Sequence, residues 1–310
     1  MLQQIIMALG AGLASAILFV VPAKGSALAL ALGLIAPLPL MIAALGQGER
    51  IGAATGVLGA AAIAIVLDPH VGGFYLITVA IPALLLCGMA RRPVLGAPGY
   101  LLMACAVLAT LLAWSGVALE ALTYPSLDAA LEDIVNRLTP IAASILGAPE
   151  NPLSGLDPRE FATWVALGMT PAAAAWGVAG LAINLWLAAR ISAISGQLPR
   201  AWPDLPATLR LPRWGFALLA GALAACAVAG LGRLLASAAV AALVVAFALH
   251  GLAALHALTR GRSARPAILV GFYTLCFALF PWPLLVAAGL GLADVARPFR
   301  RAPAVSIQPK

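Results

Sequence analysis

His250 and His256, four cysteines and a run of acidic residues after Ala118 are the side chains of this sequence with chemistry to offer. The two histidines lie six residues apart, which is about 240° around an α-helix, so one helix cannot aim both at one metal ion. Cys87, Cys105, Cys226 and Cys276 fall inside apolar stretches without ligand spacing and read as small buried hydrophobes, with no metal and no disulfide expected. The carboxylates Glu120, Asp128, Glu132, Asp133, Glu150, Asp157 and Glu160 spread along a solvated segment, where nothing would perturb them into catalytic acids or bases. There is no Walker A loop, no HExxH, no GxSxG and no Cys/His cluster, so no catalytic residue, cofactor or enzymatic activity is expected.

A second class of candidates consists of polar residues within long apolar runs, because a polar group at membrane depth must be satisfied or used. These are Thr110, Ser115, Thr170, Asn184, His250, Tyr273 and Thr274. Thr110, Trp114, Ser115 and Thr170 fall toward one end of their segments and, with Asn184, are the candidates for binding a small molecule. The simpler assignments are that Asn184 bonds a neighbouring helix and that His250 snorkels or packs. No Asp, Glu, Lys or Arg falls near the middle of a predicted span, which counts against a proton-coupled pump or ion carrier. Trp164, Trp176, Trp186, Trp214 and Trp282 sit mostly near span ends, as interfacial belts require.

The elements that must position these residues follow from composition. Of the 310 residues 63% are hydrophobic and 9% charged, which excludes a soluble globular domain. The net charge of +7 and pI near 9.8 do not indicate a nucleic-acid binder. The arginines stand singly or in pairs at the ends of apolar stretches, where they read as topology signals. Spans are expected over Ile5–Val21, Ser26–Leu45, Ile51–Leu67, Val71–Met89 and Gly99–Ala118, then Phe161–Ala189, Trp214–Leu231 and Leu234–Leu258. The hairpin between the last two is expected to turn at residues 230–233. The final stretch, Ala267–Val295, is expected to break at Pro281-Trp282-Pro283 into two short helices, which keeps Arg297, Arg300 and Arg301 on the basic side.

The fold class is therefore an all-α polytopic bundle of eight to ten spans, ten preferred, with both termini cytoplasmic in a bacterial inner membrane. That arrangement puts Arg50, Arg91, Arg92, Arg190, Arg200, Arg210, Arg213, Arg260, Arg262, Arg265, Arg297, Arg300, Arg301 and Lys310 inside, against Lys24, Arg137, Arg159 and Arg233 outside. Its parts are a six-span amino-terminal bundle (1–189) containing an extracytoplasmic insert (119–160), a Pro/Arg-rich cytoplasmic loop (190–213) too broken for regular structure, carboxy-terminal spans (214–295) and a basic cytoplasmic tail (296–310). Within the insert Leu127, Leu131, Ile134, Leu138, Ile141 and Ile145 make one apolar stripe, which predicts an amphipathic helix over 126–147. Asp157-Pro158-Arg159-Glu160 reads as a helix start.

Small residues four apart let membrane helices approach closely. Ala8, Gly12 and Ala16 form one such ridge, and Gly52, Gly56 and Ala60, continuing to Ala64, form another. Both are expected to pack inside the protein, the alternative being that one faces a partner.

The ending Gly291-Leu-Ala-Asp294-Val-Ala-Arg297-Pro-Phe-Arg300-Arg301, the segment Asn184-Leu-Trp-Leu-Ala-Ala-Arg190 and the insert together resemble the YybS-like family of bacterial membrane proteins. That family is distantly similar to the substrate-binding S components of energy-coupling-factor vitamin transporters. The similarity implies a transport-related subunit that captures a small molecule of unknown identity, with a membrane coupling subunit and ATPases as partners, the first meeting the Ala8, Gly12, Ala16 ridge. From the residues alone, a scaffold for envelope assembly or division stands as the alternative. The expected topology has a direct check: a reporter active only outside the cytoplasm, fused after Lys310, stays silent if ten spans are right, and activity would sink that arrangement.

Overall fold

The computed structural model describes residues 2–147, 155–198 and 201–300. Glu150, Arg200, Arg301, Lys310 and the Lys24 side chain lie outside the described residues. Among the described residues no strand occurs.

The chain opens with α1 (Leu2–Val20), a short 3₁₀ turn and α2 (Ala27–Leu34), which starts where the Ser26 hydroxyl accepts the Ala29 N–H at 3.1 Å. Then α3 (Pro37–Gln47) and α4 (Glu49–Val66) follow, joined at Gly48, whose φ of 105° a side chain would strain. A continuous run, Pro69–Ala90, is built from α5 (Pro69–Tyr75), a π turn (Leu76–Ala80) and α6 (Ile81–Ala90). Beyond it come α7 (Pro98–Thr123), α8 (Leu127–Leu146), α9 (Pro158–Ile194), α10 (Leu205–Thr208), α11 (Trp214–Ala225), α12 (Leu231–Leu258), α13 (Arg265–Ala278) and α14 (Trp282–Ala296).

Six of these runs are long and apolar enough to cross a membrane: α1, α4, Pro69–Ala90, α7, α9 and α12. The remaining apolar helices, within Ala31–Gln47 and at α11, α13 and α14, are shorter. Four local expectations differ from what is observed. The second apolar run is broken at Ile35-Ala36, because Pro37 lacks the N–H a continuous helix would bond to Gly33. The hairpin between α11 and α12 turns earlier than 230–233, at residues 226–230, so Leu231, Gly232 and Arg233 are already in α12. The sixth run continues to Ile194, and the proline-rich stretch after it carries one helical turn, α10.

The described residues form two compact units, one drawn from Met1–Cys105, Val178–Arg213 and Ala246–Lys310, the other from Ala106–Gly177 and Trp214–Val245. In the first, α1 lies against α4 with almost no space between backbones. A Cβ at Gly12 would stand 2.7 Å from the Thr55 carbonyl oxygen and 3.1 Å from the Gly59 nitrogen. Gly52 and Gly56 face α3 and α6, with Ala44 2.5 Å from a Cβ built at Gly52. Ala8, Ala16 and Ala60 are buried beside them, so both small-residue ridges pack within this unit.

In the second unit, α8 lays Leu131, Ile134, Val135, Leu138 and Ala142 on Phe161, Ala162 and Ala166 of α9. Ile141 and Ile145, expected on the same stripe, are 56% and 51% exposed. Asp157 caps α9 as its spacing predicts, accepting the Arg159 and Glu160 N–H groups at 2.7 and 3.0 Å. Arg159 in turn donates to Asn136 at 2.8 Å, tying α9 to α8.

The glycine contact gives a prediction with an internal control. Gly12→Val should destabilise the protein by about 1–3 kcal/mol through overpacking, whereas Gly10→Val, at a position with nothing within 4 Å, should leave the thermal midpoint nearly unchanged. Equal midpoints for the two variants in detergent would overturn the assignment of this interface.

Candidate functional site

The first unit contains the one fully buried cluster of ionisable side chains among the described residues, and glycines create it. A Cβ at Gly251 of α12 would collide with the Ala287 carbonyl of α14, and one at Gly291 with the Phe247 carbonyl. Only glycine permits this approach. It brings His250, beside Gly251, to Asp294, one turn beyond Gly291, with Nε2 and Oδ2 2.9 Å apart.

Arg300 completes the cluster from the chain just past α14. Its Nε and Nη2 donate to Asp294 Oδ2 at 2.9 and 2.6 Å, and Nη2 lies 2.6 Å from His250 Nε2. With the two Nη2 hydrogens given to Asp294 Oδ2 and to the Leu209 carbonyl, the hydrogen bond left to the imidazole is donation from Nε2–H to Asp294 Oδ2, and its Nδ1 is buried without a partner among the described residues. His250 and Asp294 are 0% and 2% exposed. The histidine thus packs in the interior and does not snorkel.

Arg300 also fixes a loop, because its Nη1 and Nη2 donate to the Pro206 and Leu209 carbonyl oxygens at 2.9 and 2.6 Å. Arg210 returns a bond to the Arg300 carbonyl at 2.8 Å. On the other side of α10, Arg260 grips Asp204 through two hydrogen bonds, one of 2.7 Å. The Arg260 guanidinium holds the Asp204 carboxyl below the usual carboxylate range.

The clamped loop forms one wall of a cavity of about 320 Å³, to which it contributes Trp202, Leu205, Pro206 and Leu209. Leu101 and Cys105 of α7, Ile183 and Trp186 of α9, and Leu252 and His256 of α12 supply the other walls. The lining is almost wholly apolar. Its polar features are the His256 imidazole, 2.9 Å from the Tyr273 hydroxyl, and Trp202, whose indole N–H is buried without a hydrogen-bond partner among the described residues.

Of the residues singled out from sequence, Thr110 and Trp114 do come together, in the second unit, where α7, α11 and α12 enclose a groove of about 550 Å³. Both polar groups are already satisfied there: Thr110 Oγ1 donates to Ala106 O at 2.8 Å and Trp114 Nε1 to Leu235 O at 2.9 Å. Ser115 does not join them; it is exposed and bonds Leu112 O on its own helix. Thr170 is half-buried on α9 and does not line the groove either. Asn184 belongs to the first unit, where its Nδ2 donates to Leu34 O at 2.7 Å and Gly180 O at 2.8 Å.

Hydropathy reasoning missed Asp294, Arg300 and Trp202. A signal for the first was present: a carboxylate inside the apolar run Trp282–Ala296 demands a buried partner.

These apolar helices are matched, over residues 13–295, by a family model described as "Predicted membrane protein (DUF2232)". The chain belongs to this family. No curated protein and no solved structure matches it. The matched region of this DUF2232 protein takes in His250, Asp294 and every cavity-lining residue named above, and stops before Arg300.

Removing one member of a buried ion pair leaves the other uncompensated, at about 3–5 kcal/mol. Arg300→Met should therefore destabilise this DUF2232 protein by that order. Asp294→Leu combined with Arg300→Met should recover most of the midpoint yet expose residues 201–213 to trypsin, since the Pro206 and Leu209 carbonyls lose their donor. A double variant as protease-resistant as wild type would show that the clamp does not hold the loop. The Asp204–Arg260 pair is half-exposed and worth under about 1 kcal/mol. With its folded-state pKa depressed, that contribution is present above the ordinary carboxylate range and lost as pH falls below it.

Proposed function

We propose that this protein is a transport-related subunit of the bacterial inner membrane that binds a small, mainly apolar molecule and works by binding, not catalysis. The observation that carries this is the cavity of about 320 Å³ with a buried, unpartnered indole N–H in its wall. Its size is that of a small-molecule pocket, and an apolar lining with a few polar groups is how such pockets select and orient ligands. The Trp202 N–H calls for a ligand with an acceptor such as a carbonyl or ether oxygen.

The positive-inside distribution supports ten spans with both ends cytoplasmic, which sets the loop 201–213 and the cavity at the cytoplasmic side. The similarity to S components supports dependence on a coupling subunit and ATPases. The Ala8, Gly12, Ala16 ridge is occupied by α4, so such a partner would have to use the lipid-facing surfaces instead.

The test is purification of the tagged full chain from native membranes in mild detergent, with mass spectrometry of extracted small molecules and of accompanying proteins. A molecule retained by wild type, lost from the cavity-filled Leu252→Trp variant and bound about tenfold more weakly by Trp202→Phe, for one lost hydrogen bond, would support the proposal. Absence of any molecule beyond detergent and bulk lipid, with envelope-assembly proteins recovered and no ATPase, would replace it with the scaffold.

A further inference from the structure

Between α2 and α3, inside an apolar stretch, the backbone is released from helical bonding. The Ile35 and Ala36 N–H groups turn back to Leu32 O and Gly33 O at 3.2 and 3.1 Å, Pro37 has no N–H, and the Leu38 N–H bonds Ile35 O at 3.0 Å. The Leu34 carbonyl, which a continuous helix would bond to the Leu38 N–H, is freed. In hydrocarbon a freed carbonyl needs a partner from the protein.

Asn184 of α9 and Ser15 of α1 converge on this break. Asn184 Nδ2 donates to Leu34 O at 2.7 Å and to Gly180 O at 2.8 Å. Ser15 Oγ donates to Ala36 O at 2.6 Å and lies 2.8 Å from the Tyr75 hydroxyl. Ser15 has one hydrogen, already given to Ala36, so Tyr75 is the donor in the second contact. Ser15 and Tyr75 are 0% exposed and Asn184 1%. Tyr75 also borders the π turn Leu76–Ala80, a distortion frequent at functional sites.

Counting donors against acceptors gives the chemistry. Both Asn184 N–H groups, the Ser15 hydroxyl and the Tyr75 hydroxyl are all in use as donors. Acceptor capacity is left over: Asn184 Oδ1 is buried with no partner among the described residues, and Tyr75 Oη and the Leu34 and Ala36 carbonyls each keep lone pairs. Satisfying the break explains the Asn184 Nδ2 contacts but not the orphaned oxygen beside them. An anion would need a donor that the cluster does not have, whereas a cation or a neutral donor such as water can use these lone pairs. Because none of its members is a carboxylate, it also lacks the charged ligands that calcium and magnesium sites use. Carbonyls of an interrupted helix joined by side-chain oxygens are how membrane proteins hold monovalent cations.

We infer that the α2–α3 break is a binding site for a small monovalent cation, taken up by the oxygens of Asn184, Tyr75, Leu34 and Ala36. The site stands apart from the apolar cavity, and either could exist without the other.

The experiment is thermal unfolding of the purified full-length protein in sodium, potassium, lithium or ammonium chloride against choline chloride at equal ionic strength. At about 100 times its dissociation constant the bound cation should raise the midpoint by roughly 5 °C or more, choline being too large to replace it. Asn184→Ala should abolish the increment whatever it does to the baseline. Asn184→Asp should lower the half-saturating concentration about tenfold by adding charge, and Tyr75→Phe should raise it severalfold. Identical midpoints in all salts would overturn the site, as would an undiminished increment in Asn184→Ala. Should that variant not fold, half-saturating concentrations unchanged in both Asn184→Asp and Tyr75→Phe would overturn it equally.

Discussion

A carbonyl released from its helix inside a bilayer has no water to turn to, and in this chain polar side chains meet that demand. Asn184 serves Leu34, and Ser15 serves Ala36. Arg91 Nη1 reaches Leu45 O near the end of α3 at 3.0 Å, and Arg300 takes both Pro206 O and Leu209 O. With only 9% of residues charged, few polar groups are left over for other tasks. Among the described residues five buried polar atoms lack a partner, Asn184 Oδ1, Ser192 Oγ, Trp202 Nε1, His250 Nδ1 and Asp294 Oδ1, and of these Asn184 Oδ1 and Trp202 Nε1 lie at the two candidate binding sites.

Glycine does more here than allow helices to approach. Lipid gives no hydrophobic drive for helix association, so contact must come from close packing, and the contacts determine which side chains meet. A Cβ at Gly59 would stand 2.9 Å from the Tyr75 hydroxyl, so glycine at that position leaves the hydroxyl space to reach Ser15. The Gly251–Gly291 approach does the same for His250 and Asp294. Both polar clusters of the first unit thus depend on backbone contacts made by residues that carry no chemistry themselves.

This dependence explains what could be read from the sequence. Local signals sufficed for the Asp157 cap, the amphipathic character of α8 and the break before Trp282, where prolines and charge coincide. Thr110 and Trp114 are four apart on one helix and so share a face, while Ser115, five from Thr110, points about 140° away. Thr170 and Asn184 share a face of α9 but stand about 21 Å apart along its axis, too far for one small ligand. The His250–Asp294–Arg300 cluster was hidden because its members are 44 and 50 residues from His250, and hydropathy reads Arg300 only as part of a basic end. The α2–α3 break was hidden because both flanks are apolar, with Pro37 its one local sign.

The unmatched atoms at the two sites, Trp202 Nε1 and Asn184 Oδ1, also differ in kind, and the difference separates the sites. Trp202 offers a donor in an apolar cavity, whereas Asn184 offers an acceptor among acceptors, so no one ligand group satisfies both. For the cavity, the same bookkeeping bears on the route of entry. Access by displacing the 202–209 loop must break the Arg300 bonds to Pro206 O and Leu209 O, each about 1.5–3 kcal/mol as a hydrogen bond to a charged group, and uncover the buried carboxylate of Asp294. Access between the helices that form the remaining walls parts mainly apolar side chains such as Leu101, Ile183 and Leu252, which lipid tails solvate as well as they solvate one another. Lateral entry from the bilayer opposes fewer broken bonds, and it selects for molecules already dissolved in the membrane.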